Sequence, residues 1–323
     1  MLNFKLSKEH GLEKNAMRTV YCDTLIALAN SNKNIVALDA DLMSSMGMNA
    51  FKKTFPDRMF NCGVQEANMI GVAAGLSSIG KIPYAHTFGP FASRRCFDQI
   101  FLSCAYSKQN VRIIGSDPGI TAAYNGGTHM PFEDLALMRT VPEMNIIVPS
   151  DSVMLEDIIR KTENLYGNFY IQLLRNNAVS IYEKGSKFTL GKANKIVEGK
   201  DITIIANGIM VSECLIAAEQ LSKIGIHARI LDMFCLKPID KESILNAAQE
   251  TGAIVTVENH NIINGLASAV SEVIVEECLV PMGKIGVRDQ FGQVGSVEYL
   301  KEVYHLTPQD IVEEVIKTLK RKK

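Results

Sequence analysis

One carboxylate, Glu66, lies at the start of a segment that otherwise contains mainly small and apolar residues. The segment is 61–80, NCGVQEANMIGVAAGLSSIG, and its part from 67 to 79 has the composition of a buried helix. An acid at the first turn of a helix is favoured by the helix dipole, so Glu66 could simply be a solvated helix-end group. The alternative is a carboxyl group that an apolar site keeps partly protonated, which suits proton transfer. Position alone favours the first interpretation.

Two further candidates follow apolar runs that predict buried strands. Asp41 comes after the run 35–38, and Arg175 comes after the run 169–173. Polar groups just past the carboxyl ends of parallel strands are where open α/β sheets bind ligands. Asp41 is therefore a site candidate, with a loop cap as the alternative. Arg175 is suited to hold an anionic substrate group, with a surface ion pair as the alternative.

A long irregular loop, 116–134, follows the predicted strand 111–115. Its sequence, SDPGITAAYNGGTHMPFED, is rich in glycine and small polar residues and carries Asp117, Asn125 and His129. Loops of this length inside a compact domain are usually functional. A lone histidine is more often structural, but His129 lies close to a glycine pair after a strand end, which favours a site.

Two aromatic residues, Phe88 and Phe91, lie on a Gly-Pro loop after the predicted strand 82–87. Because this position is not the middle of an element, one of the rings could line a pocket. The alternative is that both are ordinary core aromatics.

Strands and helices alternate along the chain, and these elements must position the candidate residues. Apolar runs predict the strands, and apolar residues with helical periodicity predict the helices. Further strands are predicted at 146–149, 201–206, 228–232, 253–257 and 284–287, and helices at 15–30, 93–105, 133–139, 150–161, 211–224, 241–251, 264–278 and 308–319. The alternation predicts an α/β fold with two doubly wound, mostly parallel sheets. The stretch 177–199 lacks a sustained period and is predicted to be a linker between domains 1–176 and 200–323.

Composition excludes several classes of partner and compartment. The 323 residues suffice for two domains, and a formal net charge of −1 favours neither nucleic acid nor an anionic membrane. The seven cysteines are scattered, with neither a CxxC pair nor metal-ligand spacing, as in reduced cytosolic proteins. The first residues are too polar for a signal peptide, and apolar runs are too short to span a membrane. These observations predict a cytoplasmic protein.

Motifs that cradle phosphates are missing from the sequence. It contains neither GxGxxG nor GxxxxGK[ST], and it lacks Gly-Asp-Gly followed at a distance by Asn. Nucleophile-elbow and HExxH motifs are also missing. If the protein uses a phosphorylated cofactor, another chain is expected to hold the phosphates.

Several segments, taken together, resemble the thiamine-diphosphate-dependent transketolases. They are DADLMSS, GVQEANMIGVAAGLSSIG, PYAHTFGPF, GGTHMPFEDLALMRTVPEMNIIVPSD and ENHNIINGLASAV. They occur in the family's order, and the resemblance covers nearly the whole chain. The likeness is to the pyrimidine-binding and C-terminal domains, as in the second subunit of a split transketolase. In the family the diphosphate and metal motif lies on the amino-terminal domain, which implies a separate partner chain.

The resemblance implies roles for four residues at the cofactor. Glu66 matches the glutamate that hydrogen-bonds a ring nitrogen of the aminopyrimidine and shares a proton with it, which activates the cofactor. Phe91 matches the aromatic residue that packs on this ring, with Phe88 beside it. Asp41 matches an acid next to the cofactor. A Mg²⁺ or Ca²⁺ ion is expected on the partner subunit.

The resemblance also implies roles at the substrate. Arg18 and Ser45 align with family residues near the anionic end of the sugar, and Arg175 aligns with the phosphate-binding arginine. His129 matches the histidine that contacts hydroxyl groups of the donor near the reacting carbon.

Two departures from the family pattern concern the substrate. Asp117 stands where typical members have a histidine that reaches the phosphate, and Tyr124-Asn125 replaces a Glu-Asp pair whose aspartate binds a sugar hydroxyl. An acid repels a nearby phosphate by about 1 kcal/mol in water, and by more where the dielectric is lower. We therefore expect a transketolase with altered substrate preference, for an unusual sugar phosphate or for another anionic tail such as a sulfonate.

Other functions remain as alternatives at this stage. Within thiamine-diphosphate enzymes these are the beta subunit of a 2-oxo-acid dehydrogenase and a deoxyxylulose-phosphate synthase fragment. A non-catalytic regulatory subunit is the alternative from another class. The resemblance further implies an α₂β₂ heterotetramer. Gly71 and Gly75 are four residues apart and share a helix face, and we expect a second subunit to pack closely there.

Overall fold

The computed structural model describes residues 3–322, which form two sheets flanked by helices. The strands are β1 Ile35–Asp39, β2 Met59–Asn61, β3 Ile82–Phe88, β4 Arg112–Ser116, β5 Asn145–Ile147, β6 Phe169–Leu173, β7 Asn194–Val197, β8 Ile202–Ala206, β9 Ala228–Asp232, β10 Cys235–Lys237, β11 Ile254–Asn261 and β12 Met282–Val287. The α-helices are α1 Met17–Ser31, α2 Asn49–Thr54, α3 Glu66–Ser78, α4 Gly89–Ala92, α5 Phe97–Gln99, α6 Asp134–Thr140, α7 Ser152–Thr162, α8 Met210–Lys223, α9 Lys241–Thr251, α10 Leu266–Glu277, α11 Val297–Val303 and α12 Pro308–Leu319.

The predicted α/β fold with two mostly parallel sheets is confirmed. The first sheet has the order β10-β5-β6-β4-β3-β1-β2, and all its pairs are parallel except β10 with β5. The second sheet has the order β12-β11-β8-β9-β7, and there β7 runs antiparallel to β9. Every residue of β1, β4 and β6 is buried, as expected of parallel strands covered by helices on both faces.

Two short strands do not follow the predicted division of the chain into two domains and a linker. The strand β7 lies inside the range 177–199 that the sequence predicts as linker, and it joins the second sheet. The strand β10 comes from the second half of the chain but pairs with β5 of the first sheet. Strands of three or four residues are too short to show a clear apolar period, so sequence patterns do not reveal them. The domain limits 1–176 and 200–323 stay a prediction.

The helix predicted over 93–105 is not continuous. A 3₁₀ turn, Arg94–Cys96, leads into α5, which continues as a π-helix over Ile100–Tyr106. Apolar spacing alone does not distinguish these helix types, and π-helical turns often occur near functional sites. Here the irregular turn carries Arg94 and Arg95 next to the aromatic loop.

The strand predicted to end at 257 is longer than expected. Glu258, Asn259 and His260 lie within β11 rather than after it. The Glu258 carboxylate accepts hydrogen bonds from the N–H groups of Leu266 and Ala267 at the start of α10. It therefore caps the amino-terminal end of α10. Within residues 3–322 there is no helix with the length and apolar character needed to cross a membrane.

Candidate active site

The candidate residues follow four strands that are neighbours in the first sheet. Asp41 follows β1, Phe91 follows β3, Asp117 follows β4 and Arg175 follows β6. The carboxyl ends of these parallel strands lie at one edge of the sheet, so the loops that carry the side chains emerge together. Sheet order thereby gathers residues that are far apart in the sequence.

Glu66 is the first residue of α3, and its side chain is only 2% exposed. Gly63, with φ of +70°, allows the turn that brings the chain from β2 into this helix. The Oε1 atom accepts a hydrogen bond from Nη1 of Arg95 at 2.8 Å. The Oε2 atom is buried and has no hydrogen-bond partner among the described residues. A buried carboxylate oxygen without a partner is costly, so this atom is available to a ligand that can donate to it.

Three rings form an aromatic cluster beside this carboxylate. The His129 ring lies 5.5 Å from Phe88 and 5.2 Å from Phe91, edge to face in both cases. Burial lowers the pKa of His129, and the nearby charges of Arg95, Arg175 and Arg94 lower it further. His129 is therefore neutral near pH 7. One of its ring nitrogens can donate a hydrogen bond, and the other can accept one.

A cluster of charges lies at the other side of the aromatic rings. Nε of Arg175 is 3.1 Å from Oδ1 of Asp117, whose side chain is 1% exposed, and the Arg175 guanidinium lies 5.5 Å from the Phe88 ring centre. Burial raises the pKa of Asp117, whereas Arg175, the Ser116 hydroxyl and the charge of Arg18 act in the opposite direction. Arg18, Asp117 and Arg175 thus influence one another electrostatically.

The remaining predicted residues have more local roles in the structure. Ser45 offers its backbone carbonyl to Nη1 of Arg18 at 2.8 Å. Asp41 is exposed, has φ of +65°, and accepts a hydrogen bond from Nδ2 of Asn61. Asn125 is exposed at the end of a 3₁₀ segment, Gly119–Asn125.

One residue of this site, Arg95, was not predicted from the sequence. Its guanidinium contacts Glu66 and also lies 3.9 Å from the centre of the Phe91 ring. The available signal is a pair of arginines, Arg94 and Arg95, three and four residues after the aromatic candidate Phe91. Such a pair on a predicted helix is usually a solvated face, so the sequence did not single it out.

Comparison with known proteins identifies the family. Residues 13–178 match the transketolase pyrimidine-binding domain, and residues 191–311 match the transketolase C-terminal domain. The chain belongs to the transketolase family. It is a subunit similar to the second chain of split transketolases, as the resemblance in its motifs predicted.

Similar proteins match this transketolase subunit over almost their full length. It is 49% identical to the 6-deoxy-6-sulfo-D-fructose transketolase subunit SqwH of Clostridium sp. (strain MSTE9), over 96% of this chain and 97% of that one. It is 41% identical to a putative transketolase C-terminal section from Methanocaldococcus jannaschii, over 94% of this chain and 96% of that one. A solved structure described as a split-gene transketolase in an inactive β4 tetramer shares 44% identity and a TM-score of 0.89, over 95% of this chain and 99% of that one.

The family implies thiamine diphosphate as cofactor, and the side chains here suit its aminopyrimidine ring. Oε2 of Glu66, which is left without a partner by the part of the chain that the structure describes, can take part in a hydrogen bond with a ring nitrogen. Phe88 and Phe91 offer aromatic surface next to that carboxylate. A polar, flat ring matches this combination of one buried carboxylate and neighbouring aromatic groups.

Proposed function

We propose that the chain is the carboxyl-terminal subunit of a split transketolase that transfers a two-carbon ketol unit from an anionic ketose to an aldose. The observation that carries the proposal is the buried Glu66, whose Oε2 has no hydrogen-bond partner within residues 3–322, beside the Phe88, Phe91 and His129 rings. An unsatisfied buried carboxylate is rarely retained for stability alone, because it costs free energy.

Bound thiamine diphosphate supplies the carbon nucleophile for transfer of the ketol unit. In this proposal Glu66 holds a proton at the pyrimidine ring nitrogen, Phe91 packs on the ring with Phe88 behind it, and Asp41 lies beside it. The diphosphate and a Mg²⁺ or Ca²⁺ ion belong to the amino-terminal partner. The family's split architecture supports this division of the cofactor between two chains.

His129 is proposed to contact the donor hydroxyl groups near the reacting carbon. Its lowered pKa keeps the imidazole neutral near pH 7, and Nδ1 already pairs with the Thr128 hydroxyl at 2.9 Å, so Nε2 is the nitrogen proposed to contact the substrate. A neutral ring also avoids adding a third positive charge next to Arg95 and Arg175.

The charges at the far end of the site favour a monoanionic substrate tail. Two arginines, Arg18 and Arg175, and one carboxylate, Asp117, would give this region a net charge of +1 when all three are ionised. A phosphate ester carries about −1.5 to −2 at pH 7, whereas a sulfonate is a monoanion with three acceptor oxygens. Because SqwH is named for 6-deoxy-6-sulfo-D-fructose, we propose a 6-deoxy-6-sulfo ketose as donor.

Residues nearer the sugar complete the proposed substrate site. Ser45 holds Arg18 through its carbonyl, and Asn125 takes the position of the usual hydroxyl-binding aspartate. Two copies of each chain are proposed to form an α₂β₂ assembly in the cytoplasm, and the subunit is expected to be inactive alone.

Steady-state kinetics of the reconstituted pair would test this function. We expect kcat/KM to be higher for 6-deoxy-6-sulfo-D-fructose than for fructose 6-phosphate, with ketol transfer only when both chains and thiamine diphosphate are present. Ordinary transketolase efficiency with xylulose 5-phosphate and ribose 5-phosphate would refute the altered preference. Absence of any ketol transfer by the assembled pair would refute the catalytic role.

A further inference from the structure

Arg95 makes two contacts that converge on the cofactor half of the site. Its Nη1 donates to Oε1 of Glu66 at 2.8 Å, and its guanidinium carbon lies 3.9 Å from the centre of the Phe91 ring. The side chain is 44% exposed, whereas Glu66 is buried. Arg95 therefore reaches from the protein surface into the site.

Glu66 and Phe91 are also the residues that the proposed function assigns to the aminopyrimidine ring, although Arg95 donates to Oε1 of the carboxylate and the proposal gives Oε2 to the ring nitrogen. A guanidinium is planar, presents N–H groups along its edge, stacks on aromatic faces and pairs with carboxylates. An aminopyrimidine is also planar, with nitrogen atoms along its edge. At 3.9 Å from the ring centre, the guanidinium leaves no space for a second planar group between itself and Phe91.

We propose that Arg95 is a placeholder that fills the pyrimidine subsite of the cofactor-free subunit and is displaced when the cofactor binds. The inference rests on the proposed function, because it requires Glu66 and Phe91 to receive the pyrimidine. Until then, the arginine compensates a buried carboxylate whose charge would otherwise lack a counterion. Its long, half-exposed side chain can swing into water, where the guanidinium is solvated again.

The neighbouring Arg94 provides a matched control. It has almost the same exposure, 48%, and its Nη1 also donates to a glutamate, Glu133, at 2.8 Å. This second pair is itself partly exposed, and Arg94 has no stacking contact with Phe91 comparable to that of Arg95. Replacing either arginine removes one surface cation and one ion pair. Arg94 in addition donates to the Thr128 carbonyl at 3.2 Å, but of the two arginines only Arg95 contacts the groups proposed to bind the pyrimidine.

Calorimetric titration of thiamine diphosphate into the reconstituted pair, with Mg²⁺ in excess, tests the placeholder. Arg95→Met is expected to lower the Kd about tenfold and to speed association, because no side chain has to leave the subsite. Arg95→Lys keeps the charge but lacks the planar stack, and an intermediate Kd is expected. Arg94→Met is expected to leave the Kd unchanged.

A second measurement uses the isolated subunit and needs no turnover. Without cofactor, Arg95→Met should melt at a lower temperature than Arg94→Met, because it leaves the Glu66 carboxylate buried without a cation. The double variant Arg95→Met with Glu66→Gln should recover most of this loss.

The outcomes separate this inference from the function on which it rests. If the wild-type pair binds thiamine diphosphate and Arg95→Met binds it more weakly, Arg95 is part of the occupied site and the placeholder is refuted alone. Equal binding by Arg95→Met also refutes the placeholder, because no side chain then competes with the cofactor. If the wild-type pair fails to bind thiamine diphosphate, the proposed function is refuted, and the placeholder with it.

Discussion

Glu66 and Asp117 are both buried carboxylates, but their surroundings differ. Glu66 has one hydrogen bond, from a half-exposed arginine, and one oxygen without a partner among the described residues. Asp117 lies against Arg175 and within the field of Arg18, and it accepts a hydrogen bond from Ser116. The first arrangement leaves an atom for proton exchange with a ligand. The second reduces the positive charge that an anionic substrate tail would meet.

Glu66→Gln should lower kcat of the reconstituted pair by about 10²- to 10⁴-fold, the usual contribution of a positioned proton donor or acceptor. Glutamine keeps the size of the side chain and an oxygen for Arg95, so assembly should be retained. The measurement is turnover at saturating thiamine diphosphate, with association checked by sedimentation. Glu156→Gln, at an exposed pair with Arg160 on α7, is the control. Unchanged turnover in Glu66→Gln would leave Glu66 with a binding role only.

Asp117→Asn should shift the preference of the enzyme towards phosphorylated donors. A phosphate carries about 0.5–1 more negative charge than a sulfonate, so removing a nearby carboxylate relieves about 0.5–1 kcal/mol more repulsion for the phosphate. This corresponds to a roughly two- to fivefold higher ratio of kcat/KM for fructose 6-phosphate over the sulfonated sugar. Ser116→Ala removes a hydrogen bond to Asp117 but retains the charge, so it should leave this ratio nearly unchanged. A ratio that is the same in Asp117→Asn and in the wild type would contradict the charge argument.

At the scale of elements, α3 connects the site to an open surface. One face carries Met69, Ile70 and Ala73 into the core. On the opposite face Gly71 and Gly75 are exposed, and a methyl group at either position would meet no atom within 4 Å. Glycine inside a helix reduces its stability, so these positions are not explained by the isolated fold.

Gly71→Ala should stabilise the isolated chain by about 0.5–1 kcal/mol, because alanine restricts the unfolded backbone and the methyl group has space. The same change should weaken association between subunits if a second copy packs against this face. Thermal unfolding and sedimentation equilibrium would measure the two effects. Ser222→Ala, exposed on α8, should raise stability without affecting association. Unaltered association in Gly71→Ala and Gly75→Ala would exclude close packing at this face.

At the scale of the whole molecule, the second half of the chain supports the loop that carries His129. Asn259 of β11 accepts a hydrogen bond from the N–H of Ile120 and donates to the carbonyl of Pro118. Farther along the loop, a methyl group at Gly127 would come within 2.2 Å of the Gly292 carbonyl oxygen, so the backbones are in close contact there. The second half thus restrains both ends of a segment that belongs to the candidate site.

Asp232 joins the two halves and should make stability depend on pH. It accepts hydrogen bonds from Ser150 and Tyr182, and burial raises its pKa to about 7. Because the Asp232 carboxyl group holds its proton more tightly in the folded protein than in the unfolded chain, protonation increases the free energy of unfolding. This contribution is complete below the unfolded pKa of about 4 and is lost as pH rises to about 7. Over this range, the free energy of unfolding falls by at most about 1.4 kcal/mol per pH unit because of Asp232.

Asp232→Asn keeps an oxygen for both hydroxyl groups and should remove this part of the pH dependence between pH 5 and 7. Tyr182→Phe deletes a hydrogen bond that lowers the pKa of Asp232, so the pKa should rise. In this variant the pH-dependent fall in the free energy of unfolding should therefore extend to higher pH. Thermal unfolding over this pH range measures both. If plots of melting temperature against pH are parallel for the wild type and Asp232→Asn, Asp232 does not titrate in this pH range.

The sequence by itself determined the α/β fold, most of the longer helices and strands, and the transketolase family. Periodicity predicts such elements because burial of one helix face or of a whole parallel strand is a local pattern. The helix over 67–79 and the strand 169–173 are examples, and the structure has them as α3 and β6. Strands as short as β7 and β10 leave no comparable pattern.

Only the tertiary structure decided which charges meet. Arg95 reaches Glu66 across 29 residues of sequence because the irregular turn after β3 places it beside the start of α3. Arg175 reaches Asp117 because β4 and β6 are adjacent in the sheet. Sheet order and side-chain direction depend on packing between distant segments, which local sequence patterns do not encode. Thus the sequence indicated that Glu66 and Asp117 matter, and the fold showed which cation each of them contacts.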